Sequence, residues 1–261
     1  MLLPQKIQNL IESEAYNTDD YGMSGSCVLL FEEKVLKIQN PGPEAENELS
    51  MLQYLQGKLP VPKIYAHVVQ DGKSYLLMEK CPGEMACSES YMENPALQAR
   101  LLAHGLKRLW AADMDFCPGD WRLERKLEQA RYNIDHGLVD MDNVDPDTFG
   151  EKGFADPDAL LEWLWENRPK EDLALSHGDY CLPNIFGMGA EVSGYIDLGR
   201  TGIADKWCDI ALCYRSLSHN YSGRYHGRSY GSYDDLLLFR ELGLEPDWEK
   251  IRYYILLDEL F

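Results

Sequence analysis

Two short polar motifs, separated by a predicted β-hairpin, constrain the fold of this chain more than any other feature. The first has the pattern H-x-D-x-x-x-x-N and places Asp179 and Asn184 on one loop after His177. The hairpin, predicted over 186–196 around a Gly-Met-Gly turn, leads directly to Asp197-Leu198-Gly199. A phosphoryl-transfer site needs a carboxylate for the attacking hydroxyl and oxygen ligands for a metal ion. The order of these elements therefore predicts such a site.

Each motif alone is a weak signal, because short H-G-D strings occur by chance and a lone Asp after a strand commonly forms a turn. Taken in order, they assign distinct roles. Asp179 would orient the attacking hydroxyl and accept its proton. Asn184 and Asp197 would hold Mg²⁺ on the nucleotide phosphates.

The N-terminal third offers candidate phosphate contacts. The string Val35-Leu36-Lys37-Ile38 is similar to the V-A-I-K strand of protein kinases, so Lys37 would contact phosphate oxygens. Glu48 on the following helix would pair with Lys37, although an exposed pair of this kind is usually worth little. The glycine-rich segment before the first strand, with Ser24 and Ser26, could cover phosphates with backbone N–H groups. An ordinary turn is the alternative for that segment.

Hydrophobic periodicity and turn residues predict an α+β fold with two lobes. Strand patterns dominate residues 1–81, and a hinge at Glu79–Gly83 precedes a mainly helical lobe over 82–261. Prolines mark the helix starts. The predicted strands are 27–31, 35–38, 63–70 and 73–79, and the predicted helices begin near Pro43, Pro95, Pro157 and Pro246.

Composition narrows the possible partners. The chain has 261 residues and a formal net charge of −19, which disfavours nucleic acid and anionic membranes and would attract a polycation. General solubility is the alternative explanation of that charge. No signal-peptide pattern and no apolar run of membrane-spanning length occur, so we predict a cytoplasmic protein. We expect it to be a monomer or a weak dimer. Seven cysteines without a C-x-x-C pair make a disulfide framework or a zinc site an unfavourable interpretation.

Four longer strings surround or extend these motifs: Gly57–Lys63, Leu175–Asp179, Ser193–Trp207 and Tyr253–Phe261. They resemble signature segments of the aminoglycoside 3′-phosphotransferases, and the resemblance runs from about residue 22 to the C-terminus. The run I-D-L-G-R-x-G-x-A-D and the C-terminal D-E-L-F are its most specific parts. The resemblance implies a bilobal protein-kinase-like fold, a small antiparallel-sheet N-lobe, and γ-phosphate transfer from ATP or GTP with Mg²⁺. It also implies an aminoglycoside 3′-hydroxyl as acceptor and a role in antibiotic resistance.

The resemblance further implies roles for individual residues. Asp179 matches the catalytic carboxylate, Asn184 and Asp197 match the metal ligands, and Lys37 and Glu48 match the phosphate-binding pair. The backbone from Glu79 to Cys81 matches the hinge that binds the nucleobase. Positions matching the aminoglycoside site are Arg200, Asp258, Glu259, the Phe261 carboxylate and, in the acidic loop, Asp145 and Asp147.

The chain departs from the family pattern in two places. Val35 stands where some members have an aromatic residue over the nucleobase, which leaves the choice between ATP and GTP open. The stretch Tyr221–Tyr233 is an insertion that carries Arg224 and Arg228 near a position where family members often have acidic residues. Basic residues near a polycation site would be unfavourable. The insertion therefore points away from the site, is a mobile surface segment, or changes the substrate range.

Two other functions stay open on the sequence alone. A kinase of the same fold could act on a macrolide, an amino alcohol or a sugar, although the aminoglycoside-type strings argue against this. A kinase-like binding protein without turnover is the second alternative, and the complete set of catalytic positions argues against it.

Overall fold

The protein has a strand-rich N-terminal part and a mainly helical remainder in a computed structural model. The structure describes residues 3–11, 14–18, 26–224, 227–231 and 233–261. The combination of an antiparallel sheet with many helices confirms the predicted α+β class. The boundary between residues 81 and 82 stays a prediction.

One antiparallel sheet consists of β1 (Asn17–Thr18), β2 (Cys27–Leu30), β3 (Lys34–Gln39), β4 (Ile64–Gln70) and β5 (Lys73–Glu79). Its strand order is β1-β2-β3-β5-β4. The strand β3 therefore lies between β2 and β5, and it carries the lysine of the V-L-K-I string in the interior of the sheet. The four strands predicted from the sequence are confirmed, with ends that differ by at most one residue.

Two helices accompany this sheet and face different cores. Helix α1 (Gln5–Ile11) buries Ile7 and Ile11 against the apolar residues of the sheet. Helix α2 (Pro43–Leu55) begins at its proline as predicted, but its buried Met51 joins the core of the helical part. The helix α2 therefore connects the sheet to the rest of the molecule.

Three helices of the helical part begin near the predicted prolines and are capped by polar side chains. The side chains of Asn94, Asp156 and Asp247 each accept a hydrogen bond from a backbone N–H of the first helical turn. A proline follows the first two caps directly and precedes Asp247 in the third. The helices are α3 (Glu89–Met92), α4 (Pro95–Trp110), α5 (Leu123–Asp135), α6 (Pro157–Glu166), α7 (Lys206–Ser222), α8 (Leu237–Leu242) and α9 (Trp248–Asp258).

The predicted hairpin is present, but its turn lies further along the chain than expected. Strands β8 (Ile185–Met188) and β9 (Glu191–Tyr195) pair with each other, so Gly187 belongs to a strand and Gly189 begins the turn. Gly189 adopts a φ of +64°, which favours glycine at that turn. Gly187 is required for another reason: an added Cβ would lie 2.5 Å from the Tyr91 hydroxyl.

Short strands complete the frame around the motifs. Strand β6 (Glu84–Met85) pairs with β8. Strands β7 (Leu173–Ser176) and β10 (Gly202–Asp205) pair with each other on either side of the hairpin in sequence. The two polar motifs therefore follow β7 and β9, at the ends of elements that are anchored in the main core.

Candidate active site

The first motif forms a loop after β7, followed by a 3-10 turn at Leu182–Asn184. The Asn184 side-chain amide donates to the Asp179 carboxylate over 2.9 Å and to the Asp179 carbonyl over 3.1 Å. These bonds use the amide nitrogen of Asn184 and leave its oxygen for a cation. Tyr180, between the two, is fully buried and donates its hydroxyl to the Leu102 carbonyl of α4 over 2.9 Å. The packing of Tyr180 thus fixes this loop against the core.

A buried aspartate on α7, Asp209, holds the start of the same loop through hydrogen bonds. Its carboxylate accepts hydrogen bonds from the Ser176 hydroxyl at 2.9 Å, the His177 N–H at 2.8 Å and the Gly178 N–H at 2.9 Å. Gly178 has a φ of +84°, and an added Cβ would lie 2.0 Å from the Arg200 carbonyl oxygen. The sequence analysis does not identify Asp209, because an aspartate within a helix carries no local signal for a partner 31 to 33 residues away.

We expect Asp209→Ala to destabilise the protein and to lower turnover. The substitution leaves three buried donors without their acceptor, which should reduce the free energy of unfolding by roughly 2–5 kcal/mol. Thermal unfolding measures the loss, and Asp158→Ala, at an exposed aspartate of α6, is the matched control. An unfolding midpoint equal to that of the control would show that Asp209 does not hold the loop.

The second motif meets the lysine of β3. Asp197, in a left-handed backbone conformation, accepts a hydrogen bond from Lys37 over 2.7 Å. Lys37 also contacts the Glu48 carboxylate over 2.9 Å, as the sequence predicts, and Gln39 donates to Glu48 over 3.1 Å. Burial acts to lower the pKa of Lys37, but the two carboxylates outweigh it and raise the pKa above its ordinary value. The lysine is therefore held as a cation between strand, helix and loop.

Helix α2 also holds the backbone around the second motif. The Asn47 side chain donates to the carbonyls of Gly199 and Thr201, each over 2.9 Å. Arg200, between these residues, donates to Glu44 of α2 over 2.9 Å. The 3-10 turn Leu198–Arg200 is therefore bonded to α2 through both Asn47 and Arg200.

The C-terminal acids lie beside the two motifs but are not open carboxylates. Arg215 of α7 pairs with Asp258 and contacts Glu259 over 3.1 Å. Arg200 is 3.6 Å from Asp258, and its guanidinium lies over the Phe261 ring with 4.9 Å to the ring centroid. Burial raises the pKa of Asp258, but Arg215 and Arg200 outweigh it and keep the pKa below its ordinary value.

The acidic loop around Asp145 contacts the C-terminal acids as well. The Asp145 N–H donates to Glu259 over 2.9 Å, so both oxygens of the buried Glu259 are engaged. Asp145 itself pairs with Arg224 of the insertion. Asp147 is exposed, and no ion pair or side-chain hydrogen bond is found for it within the described ranges. The structure thus brings Asp145, but not the Asp147 side chain, into contact with the C-terminal acids.

The predicted nucleotide contacts lie where β5 leaves the sheet. Glu79 ends β5, and Cys81 packs against β9, where a Cβ added to Gly194 would lie 2.4 Å from the sulfur. The use of the backbone from Glu79 to Cys81 for a nucleobase stays a prediction. Ser26 directly precedes β2, whereas the prediction for Ser24 lies outside the described residues.

The geometry fits a nucleotide-bound Mg²⁺ with few protein ligands. The predicted donors are one Asn184 amide oxygen, whose amide nitrogen is bonded to Asp179, and one Asp197 carboxylate. So small a set would suit an ion that keeps water and phosphate oxygens as its other ligands. Among the described residues, no group of three or more His, Cys, Asp or Glu side chains could hold a metal by itself. Within the same ranges, no helix has the length and hydropathy needed to cross a membrane.

Comparison with known proteins decides the family. The model of a family described as "Phosphotransferase enzyme family" matches residues 28–254. The chain is 37% identical to an aminoglycoside 3′-phosphotransferase of Enterococcus faecalis, with 100% of this chain and 99% of that protein covered. The chain belongs to the aminoglycoside 3′-phosphotransferase family. A relative of the same name from Niallia circulans is 41% identical over 82% of this chain and 78% of that protein.

Solved structures of this family and its neighbours agree in fold. The crystal structure of an aminoglycoside 3′-phosphotransferase of type VIII matches with a TM-score of 0.79 and 28% identity, covering 98% of this chain and 96% of that one. An aminoglycoside phosphotransferase from Streptomyces rimosus, at 21% identity, has a TM-score of 0.81 over 97% of this chain and 95% of that one. The predicted protein-kinase-like fold is therefore confirmed.

Proposed function

We propose that the protein transfers the γ-phosphate of ATP or GTP to the 3′-hydroxyl of an aminoglycoside and thereby confers antibiotic resistance. The observation that carries this proposal is the separation of two carboxylates into different networks. Asp179 is bonded to Asn184, whereas Asp197 is bonded to the buried Lys37–Glu48 pair. One carboxylate is thus available to the acceptor and the other to the phosphates.

In the proposed reaction, Asp179 orients the acceptor hydroxyl and receives its proton. The bond from the acceptor oxygen to the γ-phosphorus forms, and the bond from that phosphorus to the bridging oxygen of the β-phosphate breaks. Lys37 contacts phosphate oxygens and is held in place by Glu48. When bound, Mg²⁺ neutralises charge on the phosphates, and the Asn184 amide oxygen and the Asp197 carboxylate would hold it.

The choice of acceptor is supported by the family and by charge. The relatives that match this chain over nearly its full length are named aminoglycoside 3′-phosphotransferases. Asp258 and Glu259 are paired with arginines, but the chain as a whole has a net charge of −19. A strongly negative protein attracts a multiply charged amine. A cytoplasmic location and a monomeric or weakly dimeric state remain predictions.

Two related drugs test the proposed regiospecificity. We expect ADP release with kanamycin, which has a 3′-hydroxyl, and none above background with tobramycin, which lacks it but retains the amines. The assay couples ADP release to a spectroscopic readout at saturating ATP. Equal turnover of both drugs would place the reaction at another hydroxyl. Turnover only with a macrolide, an amino alcohol or a sugar would assign the enzyme to a different acceptor.

A further inference from the structure

The inserted segment after α7 contacts the candidate acceptor region through one arginine. Arg224 donates to the Asp145 carboxylate and, over 3.4 Å, to the Val144 carbonyl. The Arg224 guanidinium also lies 2.9 Å from the His219 ring. The backbone N–H of Arg224 donates to the His219 carbonyl over 3.0 Å. Of the alternatives left open for the insertion, a segment that points away does not describe Arg224, whose guanidinium contacts the acidic loop.

The described parts of the insertion are anchored elsewhere as well. Arg228 contacts Glu89 of α3 at 3.0 Å and Glu93 just beyond it at 3.1 Å. The Tyr230 N–H donates to the Tyr221 carbonyl over 3.1 Å. The Tyr233 ring stacks on the Tyr221 ring with centroids 4.4 Å apart. These contacts attach the later part of the segment to α7 and α3.

The carboxylates of Asp145, Asp258 and Glu259 each have an arginine partner. Arg215 pairs with Asp258 and Glu259, and Arg224 pairs with Asp145. The two arginines differ in how easily an incoming cation could displace them. The Arg215 side chain is 17% exposed, whereas that of Arg224 is 32% exposed and that of Asp145 is 27% exposed. The exchange of one cation for another is therefore easiest at Asp145.

We propose that Arg224 is a specificity-determining residue that acts as an internal cation on Asp145, in the place that an ammonium group of the acceptor would take. This inference rests on the proposed function, because it assumes a polycationic acceptor. An acceptor must either displace the guanidinium or bind without using Asp145. An acceptor that needs an ammonium on Asp145 is therefore bound more weakly than it would be if Arg224 did not contact that carboxylate.

The electrostatics of Asp145 support this arrangement. Its hydrogen bonds with His219 and then with Arg224 lower the pKa of Asp145 to about 2, so its carboxylate is ionised at neutral pH. An ionised, partly exposed carboxylate can exchange one cation for another without a change of protonation. Because a partly exposed ion pair contributes modestly, its release should change affinity by about threefold to tenfold.

Calorimetric titration with kanamycin, using protein saturated with ADP, tests the inference without requiring turnover. We expect Arg224→Gln to lower the Kd of kanamycin by about threefold to tenfold. The matched control is Arg228→Gln, which removes one positive charge from the same insertion and should leave the Kd within about twofold. In the background of Asp145→Asn, Arg224→Gln should no longer change the Kd.

The possible outcomes separate the two proposals. An unchanged or higher Kd for a folded Arg224→Gln protein, or equal tightening by both arginine variants, would overturn the role of Arg224. If Arg224→Gln does not fold, Arg224→Lys replaces it; a smaller tightening is expected, and an unchanged Kd contradicts the inference. Wild-type protein that binds kanamycin but releases no ADP would contradict the proposed function and still test Arg224. Wild-type protein that does not bind kanamycin overturns both.

Discussion

Replacing Asp179 by alanine should lower kcat by roughly 10²-fold to 10⁴-fold, the range that general acid–base catalysis commonly contributes. The reason is that Asp179 has the position expected of the group that orients the acceptor hydroxyl, next to Asn184 but outside the Lys37–Asp197 network. The KM for ATP should stay within about threefold of wild type, because Asp179 does not contact the phosphate-binding pair.

Two further variants make the Asp179 experiment specific. Asp179→Asn keeps an oxygen that can accept from Asn184 but cannot take a proton, so its loss of kcat should be of the same order. Asp158→Ala removes one carboxylate from the exposed face of α6 and should leave kcat unchanged. Steady-state ADP release measures all three. An Asp179→Ala protein with more than about a tenth of wild-type kcat would remove this residue from the catalytic role.

Replacing Asp197 by alanine should damage Mg²⁺–nucleotide binding and rate together. Its carboxylate pairs with Lys37 over 2.7 Å and is the one acidic side chain proposed for the metal. Removing a group that stabilises charge in the transition state commonly lowers kcat by roughly 10²-fold to 10³-fold. The Mg²⁺ concentration for half-maximal activity should rise as well, since only the Asn184 oxygen would remain.

The Asp197 variant differs from the Asp179 variant in its dependence on Mg²⁺. Titration of ADP release with Mg²⁺ at fixed ATP gives the comparison, with Asp158→Ala again as the matched loss of one carboxylate. Asp197→Asn keeps an acceptor for Lys37 and loses only the charge, so it should show the same shift in the Mg²⁺ titration. A titration curve of Asp197→Ala that coincides with wild type would show that Asp197 is not a metal ligand.

Local sequence was sufficient for those parts of the site that lie on regular elements or in adjacent turns. Lys37 falls on a strand that the hairpin pattern predicts, and Glu48 falls on a helix whose proline marks its start. Asp179 and Asn184 lie within one loop, where their separation in sequence already limits their separation in space. The contact between Lys37 and Glu48, predicted from the similarity to the kinase V-A-I-K strand, is present at 2.9 Å.

The residues that sequence analysis did not identify act through long-range contacts. Asp209 and Arg215 lie on α7, where they are ordinary helix residues by composition, and their partners are 31 to 44 residues away. Glu259 was predicted as a substrate contact, but its two oxygens are engaged by Arg215 and the Asp145 N–H. Such assignments depend on which elements meet in the folded core, which no local pattern encodes.

The contact of Arg224 in the insertion could not be predicted from local sequence either. A basic residue near a polycation site is unfavourable, because like charges repel. The structure pairs Arg224 with Asp145. Which acid this arginine contacts depends on the path of the segment after α7, which no local pattern encodes.

The position of the phosphate on the product tests the central claim most directly. Kanamycin should be incubated with the protein, ATP and Mg²⁺, and the purified product examined by phosphorus–proton correlation NMR. We expect one phosphorus signal that couples to the proton on the 3′ carbon. A phosphate coupled to a proton at any other position, or kanamycin recovered without phosphate, would contradict the assignment of this protein as an aminoglycoside 3′-phosphotransferase.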